Sequence, residues 1–387
     1  MIMKKIITLL LVSLLALSSL AGCNKPGEPE AKTIKIGLSG PLTGGAAIYG
    51  VAVKNGAELA IAEINAKGGL QLEINMQDDE ADATKADTAY DFLLDWGMQV
   101  SMFTVTSGAG SGVAPRYDED HIFALTPSGS APALVYSDTK VYATTFQMCF
   151  SDPNQGVGSA DYIKEHNLGT KVAIIYKSDC VYSTGITQKF VDRAAEIGLE
   201  IVFQGAFDDS SATDFTTQLQ GAKAADADVM FLPIYYTPAS SILKQAADMS
   251  YAPIFFGVDG MDGILTMDGF DTSLAEGVYL LTPFAADATD DATVHFVTEY
   301  QKAYGEIPNQ FAADAYDVVY ALYQALVAGG VTYDMTAQEI ADILIEQFTT
   351  MTFDGVTGTS VTWAANGEVS KAPKAVIIRN GVYVNAE

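Results

Sequence analysis

The sequence predicts an α/β protein of two lobes, and three observations carry that prediction. An apolar strand, Ile34 to Leu38, runs through a Gly/Pro/Thr loop into a long helix that stops at Gly68-Gly69. Strands then keep alternating with helices of about 10 to 15 residues, the pattern of parallel sheets covered by helices on both faces. The 355 residues from Thr33 to Glu387 exceed what one core holds, so two are expected.

In the first unit the two glycines supply a left-handed C-cap. The loop Ser39 to Gly50 follows the carboxyl end of its strand, where α/β domains receive ligands, and it offers small residues, backbone N–H groups and one aromatic, Tyr49. The spacing next predicts strand 71–77, helix 83–96, strand 100–105, helix 112–119 and strand 122–126. Past Asp152 a second set begins: helix 155–166, strand 171–176, helix 184–197, strand 200–204, helix 213–224, strand 229–233, helix 238–249, and strands 253–257 and 277–282. Helices 291–304, 312–328 and 337–346 follow, then a Gly/Thr-rich segment, Phe353 to Trp363, and a strand pair, 375–378 and 382–385. Two similar lobes followed by further helices suggest that the chain returns to the first lobe, making each lobe discontinuous. Periodicity alone leaves that return open.

The N-terminus reads as an export signal. Lys4 and Lys5 precede an apolar run from Ile6 to Leu20, too short for a bilayer span of roughly 20 residues but suited to a secretory leader. The following Leu20-Ala21-Gly22-Cys23 resembles the lipobox of bacterial lipoproteins, which implies a diacylglycerol on Cys23; the plain alternative is an ordinary cleavage site with a free thiol. Residues 24–32, NKPGEPEAK, have the composition of a flexible tether. The expected layout is a leader over 1–22, a lipidated tether over 23–32, and a mature protein anchored outside the cytoplasmic membrane.

Without Lys4 and Lys5, 19 basic residues face 48 acidic ones, a net charge of −29. No basic footprint exists for nucleic acid. Only three arginines occur, Arg116, Arg193 and Arg379, which argues against a bidentate Arg clamp on a carboxylate or phosphate. Besides Cys23 there are Cys149 and Cys180, and spacing leaves open whether they pair.

Several blocks in order, IKIGLSGPLTGGAAIYG, GAELAIAEINAKGG, QDDEADATKA, LTPSGSAPAL, TDFTTQLQGAKAADADVMFL, AEGVYLLTP with FVTEYQKAYGEIPNQFAADAYDVVYAL, and FDGVTG, resemble the type I periplasmic-binding-protein family. The resemblance is to its leucine/isoleucine/valine-binding branch, the solute receptors of branched-chain amino-acid ABC transporters, and it covers essentially the whole mature chain. It implies two Rossmann-like lobes joined by a three-strand hinge, lobe 1 comprising 33–149 and 283–373 and lobe 2 comprising 150–282 and 374–387. It also implies capture of an amino acid, branched-chain or similar, by lobe closure, delivery to ABC permease subunits, no chemistry on the ligand, no cofactor, and a monomer.

Position by position, the resemblance places ligand-binding roles on eight residues. Ser107 in VTSGAGSG and Ser130 in TPSGSAP fall where the family grips the ligand's α-carboxylate and amine, with Ser128 and Gly129 adding backbone contacts. Ser107 just before a helix at Gly112 suits a carboxylate held without a cation; the plain alternatives are a helix N-cap for Ser107 and a turn residue for Ser130. Tyr49, Tyr182 and Tyr235 match aromatic contacts, giving broad apolar area with one polar handle. Asp259 in FFGVDGMDG matches the family's Glu that accepts the ligand's ammonium, a charge-assisted contact. Three departures stand out: Asp259 is one methylene shorter than Glu; Asp262 lies one turn away, so that the pair is expected either to share the ammonium or to reach a second cationic group; and Phe146-Gln147-Met148-Cys149 stands where many relatives carry an Arg.

Two other classes remain. A lipid-anchored enzyme lacks support: no serine carries glycines at both minus two and plus two, no GxxxxGK[ST] loop occurs, and His121, His166 and His295 are isolated in sequence, so no metal is expected. A sensor domain of the same fold is the nearer rival, and it would carry a further membrane helix or effector domain.

Overall fold

The computed structural model describes residues 32–386, so the predicted leader, Cys23 and nearly all of the tether lie outside the described residues. Two sheets organise the chain from Ile34 onward. The first holds five strands in the order β2-β1-β3-β4-β5: β1 (Ile34–Gly40), β2 (Leu72–Asp78), β3 (Val100–Thr104), β4 (Ala124–Thr126) and β5 (Thr145–Gln147), all parallel. Ile34, Ile36 and Leu38 of β1 are fully buried, as a central strand covered on both faces requires. Helices α1 (Ala47–Lys67), α2 (Ala83–Trp96) and α3 (Ser107–Glu119) link the first four strands.

The second sheet holds seven strands in the order β12-β11-β10-β9-β8-β6-β7. Five are parallel: β6 (Lys171–Lys177), β7 (Glu200–Phe207), β8 (Val229–Leu232), β9 (Ile254–Gly257) and β10 (Tyr279–Thr282). Then β11 (Lys374–Arg379) adds antiparallel to β10, and β12 (Val382–Asn385) antiparallel to β11. Helices α4 (Asp152–Glu165), α5 (Val181–Ile197), α6 (Thr216–Ala224) and α7 (Tyr236–Asp248) accompany it.

After β10 the chain goes back to the first sheet. Helices α8 (Asp291–Tyr304), α9 (Gln310–Ala328) and α10 (Ala337–Phe348) follow. Phe348 at the end of α10 packs on Phe123 and Phe146 beside β4 and β5, at ring distances of 4.9 and 5.7 Å. Trp363 Nε1–H donates to the Gln147 carbonyl at 2.7 Å. Against α1, helix α9 comes so close that a Cβ on Gly56 would lie 2.1 Å from the Ala312 carbonyl oxygen, which is why that crossing needs glycine. The return that periodicity left open is therefore present, and the chain passes between the sheets three times: after β5, after β10 and before β11.

Element limits shift where chain chemistry is ambiguous. The predicted helix 112–119 begins five residues earlier, at Ser107, because the small residues Ser107 to Ser111 form its first turns and Ser111 Oγ donates back to the Ser107 carbonyl at 2.7 Å. The predicted helix 155–166 begins at Asp152, with Pro153 in its first turn, where a missing N–H costs nothing. Strand β5 was not anticipated at all. Cys149 is buried, Cys180 half-buried, and both are free thiols.

A buried charge cluster lies by the third passage. Lys371 Nζ donates to Asp314 Oδ1 at 3.0 Å and to Thr357 Oγ1 at 2.6 Å, while Asp317 accepts the Val356 and Thr357 N–H groups at 2.9 Å each. Among the described residues no helix is long and apolar enough to cross a membrane.

Candidate functional site

In each sheet the order reverses once, between β1 and β3 in the first and between β6 and β8 in the second. Loops on either side of such a reversal diverge and leave a crevice at the carboxyl ends of the strands. Tyr49 follows β1, Ser107 follows β3, Tyr182 follows β6 and Tyr235 follows β8, so four of the eight predicted residues sit at these reversals. The loops meet in one cavity. It is lined by Tyr49, Ser107, Ser128, Tyr182, Tyr235 and Asp259 from the predicted set, joined by Val105, Thr106, Gly260 and Phe311.

Tyrosines close the cavity. Tyr49 Oη donates to the Gly260 carbonyl and accepts the Tyr236 N–H at 3.3 Å. Its ring stands edge-on to Tyr235 at 5.3 Å and Tyr236 at 5.0 Å, and lies against Phe311 at 4.3 Å. Tyr182 packs on Tyr235 at 5.1 Å. The β1 loop touches α7 directly as well, through Thr237 Oγ1–H to the Gly45 carbonyl at 2.8 Å. This is a closed arrangement.

One end of the cavity is built from hydroxyls and amides. Ser107 is the first residue of α3, and Thr106 is the cap residue, without a side-chain capping bond. So Ser107 is not the N-cap of the plain alternative. Its Oγ instead accepts the N–H groups of Ser130 and Ala131, each at 3.2 Å, tying the β4 loop to α3. The Thr106 and Ser130 hydroxyls are buried without a partner. Ser128 Oγ donates to the Val105 carbonyl at 2.7 Å. Gly129 and Ser130 lie behind the lining. The Gly129 amide donates to Thr126 Oγ1 at 2.8 Å and its carbonyl accepts from Gln147 Nε2 at 3.0 Å, so its polar groups are already engaged. Gln147 thus takes part in holding the β4 loop, at the position where relatives were expected to carry Arg.

The other end is a carboxylate. Asp259 opens a 3-10 turn after β9 and is 4 % exposed. Its Oδ1 accepts from Tyr182 Oη–H at 2.5 Å, its N–H donates to Gln155 Oε1 at 3.4 Å, and its carbonyl accepts from Gln310 Nε2 at 2.8 Å. Burial pushes its carboxyl up to about 7, against the opposing pull of the Tyr182 hydroxyl. Asp262 does not share this role: its carboxylate accepts the Gln310 N–H at 2.8 Å and the Gly263 N–H at 2.7 Å, and it borders a different cavity with Tyr383.

Hence the cleft offers a negative group at one end, hydroxyls and a helix N-terminus at the other, aromatic walls between, and no Lys, Arg or His among its lining residues. Phe311 and Gln310 were not anticipated; they sit in the first turn of a helix whose apolar pattern looks purely structural. A larger open groove runs between α1, α8 and α9, where Glu63, one of three lining carboxylates, accepts from Tyr316 and Tyr320 at 2.7 Å each and meets His295 at 3.1 Å.

Comparison with known proteins agrees with this architecture. The model of the family described as periplasmic binding protein matches residues 33–379. The Leu/Ile/Val-binding protein of Citrobacter freundii is 27 % identical over 272 residues, 68 % of this chain and 72 % of that protein. A Leu/Ile/Val-binding protein homolog 2 of Brucella abortus is 25 % identical over 354 residues, 90 % of each. Among solved structures, the branched-chain amino acid transporter substrate binding protein LivJ of Streptococcus pneumoniae, in complex with isoleucine, superposes with a TM-score of 0.80 at 27 % identity, covering 91 % of this chain and 98 % of that one. A solute binding protein of an R. palustris ABC transporter in complex with benzoate reaches a TM-score of 0.80 at 19 % identity, covering 92 % of this chain and 95 % of that one, a likeness of fold alone. The chain belongs to the periplasmic binding protein family, in the type I branch that includes the Leu/Ile/Val-binding proteins.

Proposed function

We propose that this protein is an extracytoplasmic solute receptor that captures an amino acid by lobe closure and delivers it to an ABC permease. The observation that carries the reading is the pairing, in one cavity, of the buried Asp259 with the α3 N-terminus and Ser107. A zwitterion needs an anionic acceptor at one end and uncharged donors at the other, and this cleft supplies both. Relatives that bind leucine, isoleucine and valine point the same way.

The finer assignments belong to the same reading. Tyr49, Ser107, Ser128, Tyr182, Tyr235 and Asp259 contact the ligand, with Gly129 and Ser130 shaping the carboxylate end. The lobes comprise 33–149 with 283–373 and 150–282 with 374–387. The leader ends at Gly22, Cys23 carries the lipid, and residues 23–32 tether a monomer to the outer side of the membrane. The protein carries out no chemistry on its ligand, and a signalling role for the same fold is the alternative.

An aromatic carboxylate is the second ligand class to weigh, since a benzoate-binding relative shares the fold and Tyr49, Tyr235 and Phe311 would flank a ring. Against it, a carboxylate ligand would meet Asp259 with no cation in the lining. Thermal-shift screening of residues 24–387 against amino acids, benzoates, polyamines and sugars tests the choice, because a ligand that binds only the native state raises its melting temperature. Stabilisation by an amino acid is expected; stabilisation by benzoates or sugars alone contradicts the proposal.

A further inference from the structure

Gln310, the first residue of α9, is buried and makes three hydrogen bonds outside its own helix. Its N–H donates to Asp262 Oδ2 at 2.8 Å, its Nε2–H donates to the Asp259 carbonyl at 2.8 Å, and its Oε1 accepts from the Thr282 hydroxyl at 2.9 Å. All three partners lie on the side of the second sheet. Asp259 and Asp262 belong to the turn after β9, and Thr282 ends β10, where the second passage leaves that sheet. Helix α9 itself packs on α1 of the first sheet through the Gly56 to Ala312 crossing. One residue therefore bridges the two halves that closure brings together.

Each bond suits a contact made on closing. The first N–H groups of a helix have no partner inside it, and Asp262 supplies one for Gln310 while bringing negative charge to the positive end of α9. The other Asp262 oxygen accepts the Gly263 N–H at 2.7 Å, which keeps the carboxylate in its own turn whatever α9 does. The Asp259 carbonyl can only accept, so it takes the Nε2–H and leaves Oε1 to the Thr282 hydroxyl. Thr282 Oγ1 also accepts the Phe284 N–H at 3.2 Å, placing that hydroxyl at the bend of the passage. Beside Gln310 the same turn meets the first sheet twice more. Tyr49 Oη donates to the Gly260 carbonyl, and Gly263 comes so near Ile48 that a Cβ would lie 2.6 Å from Ile48 Cγ2. Gln310 is not among the residues lining the cleft cavity, so its bonds join protein groups alone.

We propose that Gln310 is a closure latch: a positioning residue whose bonds to Asp259, Asp262 and Thr282 form as the lobes close and set how long a captured solute stays bound. The latch rests on the lobe-closure part of the function proposed above and not on the class of ligand. When the lobes part, water takes the place of these partners, so the bonds favour the closed state alone. Their contribution is the same whichever solute is held, because it shifts the balance between open and closed forms and touches no ligand atom. A solute leaves only after the lobes part. Loss of the latch therefore appears in the dissociation rate.

Gln310→Met keeps the length of the side chain and removes its amide, and stopped-flow kinetics with the compounds that stabilise the wild-type chain in the screen tests the latch. Dissociation is expected to be about tenfold faster, by the same factor for each compound, with association changed less than about twofold. An unaltered dissociation rate overturns the latch. So does an effect confined to ammonium-bearing compounds, which would mean that Gln310 acts only through Asp259, or a loss carried by association alone, which would mark a structural role. Where Gln310→Met does not fold, Thr282→Val decides, since it removes one of the three bonds: faster dissociation supports the latch and an unchanged rate overturns it. If the screen yields only compounds other than amino acids, the amino-acid reading falls and the latch is measured with those compounds. If it yields none, small-angle X-ray scattering decides: Gln310→Met is expected to have a larger radius of gyration than the wild type, and equal radii overturn the latch.

Discussion

Tyr182 Oη donates to Asp259 Oδ1 at 2.5 Å and accepts the Gly260 N–H at 2.9 Å, so one phenol fixes both the carboxylate and the turn that carries it. Asp259 is one methylene shorter than the Glu expected at this place, and Tyr182 holds it at the cavity wall.

Removing the charge at Asp259 tests its role in binding. Asp259→Asn keeps the shape and the contact with Tyr182 but exchanges a charge-assisted bond for a neutral one, worth about 1.5–3 kcal/mol. Titration calorimetry is expected to show roughly ten- to a hundredfold weaker binding of an amino acid; unchanged affinity removes Asp259 from the site.

Binding is expected to depend on pH through the same group. With its carboxyl raised to about 7 by burial, Asp259 is protonated below that pH in the free protein and must lose the proton to meet an ammonium. Affinity then falls about tenfold per pH unit below about 7 and levels off above it. Because the Tyr182 hydroxyl opposes the rise, Tyr182→Phe is expected to move this midpoint to higher pH, and a midpoint that stays put or moves down contradicts the assignment.

The unliganded protein's stability should run the opposite way. Asp259 ionises near 4 when unfolded and near 7 when folded, so its contribution is full below about 4 and is lost as pH rises through about 7. Burial raises Asp79 and Asp314 to about 6, and they act in the same direction, Asp314 despite the opposing charge of Lys371. Urea denaturation from pH 4 to 8 should therefore show a smaller decline in Asp259→Asn than in the wild type.

Breaking the buried charge cluster tests what holds the third passage. Lys371→Met removes the cation beside Asp314 and leaves two buried carboxylates, Asp314 and Asp317, without it. Such a loss costs about 3–5 kcal/mol, read from denaturant midpoints. A change below about 1 kcal/mol would mean that Thr357 and the backbone donors satisfy the carboxylates alone.

Much of the fold was readable because local chemistry and tertiary need coincide. Helix α2 was placed at its observed limits since Asp82 caps it, accepting the Thr84 and Lys85 N–H groups, and Gly97 ends it in a left-handed conformation. Helix α3 was started too late because SGAGSG reads as a loop; only the tertiary contact of Ser107 with Ser130 and Ala131 makes a helix of it. Strand β5, three residues long, is too short to show a period. Cleft residues such as Tyr49 and Asp259 were found through motifs whose loops are shared with the family.

The central claim is that the cleft recognises an ammonium beside a carboxylate. Calorimetric titration of the wild-type chain at pH 8 with isoleucine and with its 2-oxo-acid analogue measures that directly. The account predicts that the amino acid binds at least about tenfold more tightly, the difference one charge-assisted bond supplies. Equal affinity for the two, or tighter binding of the oxo acid, would contradict it.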